Sequence, residues 1–216
     1  MFSKGMSDNQ SRIYFQNLVF ERMIEDIPSF IEEEIQKVEQ EIRINATETA
    51  QGDTYMASDI YGDPETGEWH EEKIEVPVSH DIANNDPRNE YIKLLEEMPY
   101  YFYHTMVAML WSFAETTLKD ESKESKVKKT KVEYLFEEIK ETIERPDLGT
   151  VKDIWPDIKE FNEIRNQVIH EGQVKKQNIV INQEYLLKNL KCIHVLLKKT
   201  TDAVEEYKQT NKSEKE

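Results

Sequence analysis

Residues 155–172 read WPDIKEFNEIRNQVIHEG and carry the signals of one complete helix. Pro156 suits the first helical turn, whose backbone N–H groups have no partner within the helix, and Gly172 suits the left-handed residue at which helices commonly end. Apolar side chains recur on one face at helical spacing: Ile154, Ile158, Phe161 and Val168. This stretch therefore predicts a core-facing helix.

Most of the remaining chain also predicts helices. Only 6 of the 216 residues are glycine, and Glu, Lys, Leu and Ile are abundant, which favours helices. Amphipathic spacing predicts helices over 11–27 and 29–44, separated by a break or kink at Pro28, over 88–120 with a kink at Pro99, over 132–144, and from a cap at Asn182 onward. The polar residues 209–216 predict a disordered tail. We expect the all-α class.

Residues 45–87 interrupt this pattern with three glycines and three prolines. The turn sequence at 63–67, DPETG, lies between Ile60-Tyr61 and the segment 73–76, and these flanks are predicted to pair as a short hairpin. The region has too few apolar residues for a core of its own. We therefore interpret 45–87 as an insertion within a single domain that spans residues 1–216.

The charge balance limits the function classes. The chain has 44 acidic and 28 basic residues, a formal net charge of −16, which disfavours a protein that coats nucleic acid and is compatible with an enzyme that has one small basic cleft. Residues 120–131 are locally basic, and we favour a solvated linker there over a rim that attracts phosphate.

Several chemistries are disfavoured by missing motifs. The single cysteine, Cys192, excludes a disulfide framework and a cysteine-based metal cluster, and its Leu-rich helix predicts a buried thiol. His70 and His80 lie among acids without further ligands at metal spacing, so neither a metal nor a cofactor is expected. The sequence has no Gly-rich phosphate loop, nucleophile elbow or zinc-protease motif.

Neither a secretory leader nor a membrane span is predicted. The N-terminus has no apolar segment after Lys4, and no window approaches the 18 or so uninterrupted apolar residues that a span requires. We expect a cytoplasmic protein without a membrane partner.

A polar ridge follows the apolar face of the helix at 155–171. Arg165 takes the position between Phe161 and Val168 where the spacing requires an apolar residue, and a buried charge there needs partners. Asn162, Asn166 and His170 follow at intervals of four. One interpretation is structural: an interface arginine, and a histidine that caps the negative end of the helix dipole. Arg165 and His170 point about 140° apart on a straight helix, so one chain alone does not focus them on one atom; fraying at Gly172, or a second chain across a twofold axis, would bring such groups together.

Residues 165–170, RNQVIH, resemble the R-x-x-x-x-H signature of the HEPN superfamily, and Asn166 fits the polar residue that typically follows the arginine. The earlier segment 109–118, MLWSFAETTL, is similar to a recurring segment of that family. The resemblance covers about residues 90–205, preceded by the N-terminal helices within 11–44.

The resemblance implies an antiparallel helical bundle, commonly a homodimer, with a metal-independent RNA endonuclease site at the dimer interface. Arg165 would bind the scissile phosphate, His170 would act as general acid or base, and Asn166 would orient the histidine or a phosphate oxygen. Asn162 would support the site, and Glu115 is a candidate partner for Arg165. Some family members carry a tyrosine that is adenylylated two residues after the histidine. Here that position is Gly172, so this regulation is not carried over.

Two functions follow. The first is a ribonuclease that acts as a toxin or antiphage-defence effector, with RNA as substrate and an antitoxin or defence-system protein as partner. The second is a non-catalytic helical module that uses the same ridge for dimerisation or other protein contacts.

Overall fold

The computed structural model describes residues 8–62, 69–122, 132–143, 148, 151, 153–172 and 179–213. The described residues form six helices and one two-stranded sheet. The order is α1 (Asp8–Ala50), β1 (Thr54–Gly62), β2 (Trp69–Pro77), α2 (Val78–Asn84), α3 (Arg88–Glu121), α4 (Val132–Thr142), α5 (Trp155–Glu171) and α6 (Gln183–Ser213). The predicted all-α class is confirmed.

The contacts divide the chain into two compact units. The first unit comprises Met1–Ile27 and Tyr100–Glu216, and the second comprises Pro28–Pro99. Helices α1 and α3 each contribute to both, and each contains a proline at the boundary between the two. The predicted helices over 11–27 and 29–44 are therefore one helix; of the predicted break or kink at Pro28, the break is wrong. A proline removes one hydrogen bond and strains one turn, but the buried Ile24 and Ile31 keep the same apolar periodicity on both sides of it.

The hairpin predicted within residues 45–87 is present in the second unit and is longer than expected. Strands β1 and β2 are antiparallel over nine residues each, with Ala57 opposite Ile74 and Ile60 opposite Glu71. The predicted flanks thus both lie in strands, but Ile60 does not pair with residues 73–76. Gln51 and Gly52 have positive φ, 51° and 88°, and they form the turn that ends α1.

The first unit contains the larger apolar core. Helices α1, α3, α4, α5 and α6 all contribute to it, and its most deeply buried members include Ile24, Leu110, Phe161, Leu186 and Leu196. The predicted cap of α6 is confirmed, because the side-chain oxygen of Asn182 accepts a hydrogen bond from the Tyr185 N–H at 2.9 Å. Cys192 is buried with a free thiol, as predicted.

The predicted disordered tail from residue 209 is corrected by α6, which continues to Ser213. Lys and Gln in this polar segment have high helix propensity, so a polar composition did not end the helix. Other predicted features lie outside the described residues: the turn at 63–67, the basic stretch 123–131 and the tail end at 214–216.

Candidate functional site

Helix α5 matches its predicted bounds and differs in the face it buries. Its buried residues are Ile158, Phe161 and Ile164, so the apolar stripe advances by three residues at a time and does not require an apolar side chain at 165. Arg165 lies on the flank of this stripe and is half-buried. The expectation of an arginine at the centre of the stripe is therefore wrong, because Ile164 takes that place.

Two contacts, one near the middle of α5 and one at its C-terminal end, set the direction of α5 against α3. The Phe161 ring lies 6.2 Å from the Trp111 ring, and the Tyr100 hydroxyl donates to the Gly172 carbonyl at 3.4 Å. The two helices therefore run antiparallel. Gly172 ends α5 with φ 68°, the left-handed conformation predicted for it. This pairing places the later part of α3, with Trp111 and Glu115, beside the middle of α5.

A cleft of about 310 Å³ lies where α3, α4 and α5 meet. Its lining residues come from all three helices: Trp111, Glu115, Val132, Glu133, Asn162, Arg165 and Asn166. Four of the five predicted site residues thus share one concave surface. A volume near 300 Å³ is at the small end of the range for sites that bind small molecules.

Among the described residues, one hydrogen bond holds the guanidinium of Arg165. Its Nη1 donates to the Asn166 Oδ1 at 2.9 Å, whereas its buried Nε has no hydrogen-bond partner in the part of the chain that the structure describes. Asn166 therefore positions the arginine within one chain. An unpaired buried N–H is costly, so this nitrogen is a polar group that the described residues leave unsatisfied.

Glu115 does not pair with Arg165. It forms an ion pair with Lys119 at 3.4 Å, one helical turn along α3, where the spacing of four residues keeps the two side chains adjacent. Across the described part of the chain, no carboxylate lies within ion-pair distance of Arg165. The predicted Glu115–Arg165 pair is therefore wrong, although both residues line the cleft.

Glu133 is a cleft residue that the sequence patterns did not single out. It lies in the first turn of α4 and is partly exposed. The apolar periodicity of residues 132–144 predicted the helix, and nothing in that pattern distinguishes Glu133 from the other glutamates of α4. Only the packing of α4 beside α5 brings its carboxylate into the cleft.

His170 lies outside the cleft. It is exposed in the last turn of α5. Nine residues separate it from the buried Phe161, a rotation of about 900°, so His170 points directly away from the core. One chain therefore does not bring Arg165 and His170 together, in agreement with the separation expected from helical geometry.

The thiol of Cys192, in the same unit as the cleft, is a poor nucleophile. Burial raises the pKa of the Cys192 thiol, and the nearby Asp157 raises it further. Since the thiolate is the reactive form, this shift leaves Cys192 unreactive at neutral pH. Among the described residues, no group of three or more His, Cys, Asp or Glu side chains is placed to hold a metal ion.

Comparison of the chain with family models, with curated proteins and with solved structures gives no match. The helices of the described residues include none that is both long enough and apolar enough to cross a bilayer.

Proposed function

We propose that this protein is a metal-independent RNA endonuclease of the HEPN type, which acts in the cytoplasm as a toxin or antiphage-defence effector. One observation carries the proposal: Arg165 lies in a cleft with Asn162, Asn166 and Glu115, oriented by Asn166 and unpaired with any carboxylate of the described residues. A guanidinium in this state is suited to a phosphate group, whose oxygens match its N–H geometry.

The chemistry requires no metal. The 2′-hydroxyl oxygen of RNA attacks the adjacent phosphorus, and the bond from phosphorus to the 5′-oxygen breaks, which leaves a 2′,3′-cyclic phosphate and a 5′-hydroxyl. Arg165 stabilises the negative charge that grows on the phosphoryl oxygens. His170 takes the proton from the 2′-hydroxyl or supplies one to the 5′-oxygen, with water as the other proton acceptor or donor, and general acid or base catalysis of this kind contributes about 10²–10⁴-fold.

A second copy of the chain completes the site in this proposal. His170 points away from the core that Arg165 borders, so the imidazole that serves one Arg165 comes from the partner of a homodimer. An exposed histidine on a solvent-facing helix end is free to meet a twofold-related surface. A neutralising antitoxin or another defence-system protein would control such an activity in the cell.

The test is RNA cleavage in the presence of EDTA. Purified protein is incubated with mixed single-stranded RNA beside Arg165→Ala and His170→Ala, with Arg43→Ala and His80→Ala as matched controls at exposed positions of the second unit. We expect cleavage by the unmodified protein and by both controls, and at least about a hundredfold loss in the two site variants. All five should be folded dimers by circular dichroism and light scattering. Equal behaviour of all five proteins would eliminate the nuclease.

A non-catalytic helical interaction module is the second candidate. It is favoured by an exposed apolar patch on α1, formed by Tyr14, Phe15, Leu18 and Val19, which are 53, 43, 41 and 50% exposed. Patches of this kind commonly mark protein contacts. A protein that dimerises without cutting RNA, and is harmless when it is expressed, would favour this function. Toxicity that either site substitution relieves would favour the nuclease.

A further inference from the structure

The cleft holds two opposite charges that are not paired with each other. Glu133 enters from α4 and Arg165 from α5. Within the described residues neither forms an ion pair, and the Arg165 Nε has no hydrogen-bond partner. Partly buried charges without partners are costly. A ligand that carries an anion at one end and N–H donors at the other would satisfy both.

The two charges differ in the groups that they recognise. The guanidinium matches a phosphate. A carboxylate offers two acceptor oxygens side by side, and it matches a ligand edge with two adjacent N–H donors. Of the four RNA bases, only guanine presents such an edge, from its ring N1–H and its 2-amino group. Adenine and cytosine place an acceptor nitrogen beside their amine, and uracil has one donor between two acceptors.

The size of the cleft favours a single nucleotide. Its volume of about 310 Å³ is near the lower limit of ligand sites, which run from about 300 to 1,000 Å³. Asn162 lines the same wall as Arg165 and supplies an amide N–H for a carbonyl oxygen, the group that guanine carries at position 6. The cleft thus supplies a protein group for the phosphate, for the carbonyl oxygen and for the two adjacent N–H donors of a guanine nucleotide.

We propose that this cleft selects a guanine nucleotide, with the Glu133 carboxylate accepting the two donors of the base and Arg165 holding its phosphate. Where the guanine nucleotide is part of an RNA, the inference rests on the proposed nuclease function, and it places a guanosine beside the scissile phosphate. The same chemistry is also present in free guanosine monophosphate, and the experiment separates the two sources.

Binding is measured in a His170→Ala background, so that RNA stays intact. One arm uses fluorescence anisotropy with a labelled oligouridine that contains one guanosine, compared with the same oligonucleotide containing inosine or adenosine. The other arm uses calorimetry with guanosine, inosine and adenosine monophosphates. Inosine lacks only the 2-amino group. We expect guanine to bind about tenfold more tightly than inosine, the lower end of what one hydrogen bond to a charged group contributes.

Glu133→Gln keeps the size of the side chain and replaces one acceptor oxygen by a donor. It should abolish the preference for guanine over inosine while phosphate binding through Arg165 persists. The matched control is Glu137→Gln on the same helix, where Glu137 pairs with Lys140 at 2.7 Å outside the cleft. This control should keep the full preference, and circular dichroism should show both variants folded.

Guanine preference confined to the oligonucleotide would support the site with RNA as its source, and preference with the monophosphate would support it with a free nucleotide. Equal affinity for guanine and inosine in both arms, absence of binding in both, or a preference that survives Glu133→Gln would overturn the inference. The nuclease proposal fails separately, through absence of cleavage by the unmodified protein. If the unmodified protein cleaves RNA but does not prefer guanine, the guanine selectivity is overturned and the nuclease proposal stands.

Discussion

The hydrogen bond from Arg165 to Asn166 predicts how an added negative charge in the cleft would change the affinity for RNA. Asn166→Asp keeps the shape of the side chain and places a negative oxygen where the Asn166 Oδ1 now lies, 2.9 Å from the Arg165 Nη1. The guanidinium would then be paired within the protein and less available to a phosphate. Asn166→Ala removes the contact without adding charge, so it isolates the positioning role of the side chain.

The magnitude follows from Coulomb's law. A new carboxylate about 6 Å from a bound phosphate repels it by about 0.7 kcal/mol in bulk water and by about 2.8 kcal/mol at the dielectric typical of a protein surface. Since about 1.4 kcal/mol is tenfold in affinity, the expected loss is roughly tenfold. Asn166→Ala should lose only a few-fold. Because Asn166 is exposed, the stability of either variant should change by less than about 1 kcal/mol.

The assay is fluorescence anisotropy with a short RNA in the His170→Ala background, at two salt concentrations. We expect the unmodified cleft to bind best, Asn166→Ala less well and Asn166→Asp least. The difference between the two variants should shrink as salt screens the added charge. If Asn166→Asp binds RNA as tightly as the unmodified cleft, then Arg165 does not hold a phosphate and the chemistry proposed for the cleft fails.

Three further predictions concern stability and titration. Phe161→Ala, at a fully buried position between Trp111 and Tyr185, should lower the free energy of unfolding by about 3–5 kcal/mol in urea titrations; a loss below about 1 kcal/mol would contradict its central place in the core. Gly172→Ala should cost about 1 kcal/mol, because its φ of 68° disfavours other residues while the space around it is open; an unchanged unfolding midpoint would count against the left-handed end of α5. Hydrogen bonds from Arg88 hold the pKa of Asp86 at about 2, so Asp86 stabilises the fold above pH 4 and loses this contribution as pH falls from about 4 to 2. Arg88→Met should move that pKa partway toward its usual value in an NMR titration, and an unmoved pKa would exclude the side-chain bond as its cause.

Local sequence signals predicted the helix ends at which one residue type is favoured by the backbone. Pro156 and Gly172 bracket α5, and Asn182 caps α6, because each satisfies or avoids a backbone group at a helix end regardless of what packs nearby. Single prolines and polar composition predicted the helix ends less well. Pro28 did not divide α1, and the polar residues after 209 remained helical, because a long helix tolerates one lost bond and continues through residues of high propensity.

The arrangement of the candidate site depended both on the local sequence of α5 and on the tertiary packing of the helices. The order of residues along α5 determined that Arg165 and His170 point about 140° apart, since helical rotation is a property of one segment. Tertiary packing alone decided that Ile164 fills the core in place of residue 165, and that Glu115 and Glu133 line the same cleft as Arg165. These outcomes depend on which helices lie side by side, and residues far apart in sequence meet only after the apolar faces of the helices have packed together.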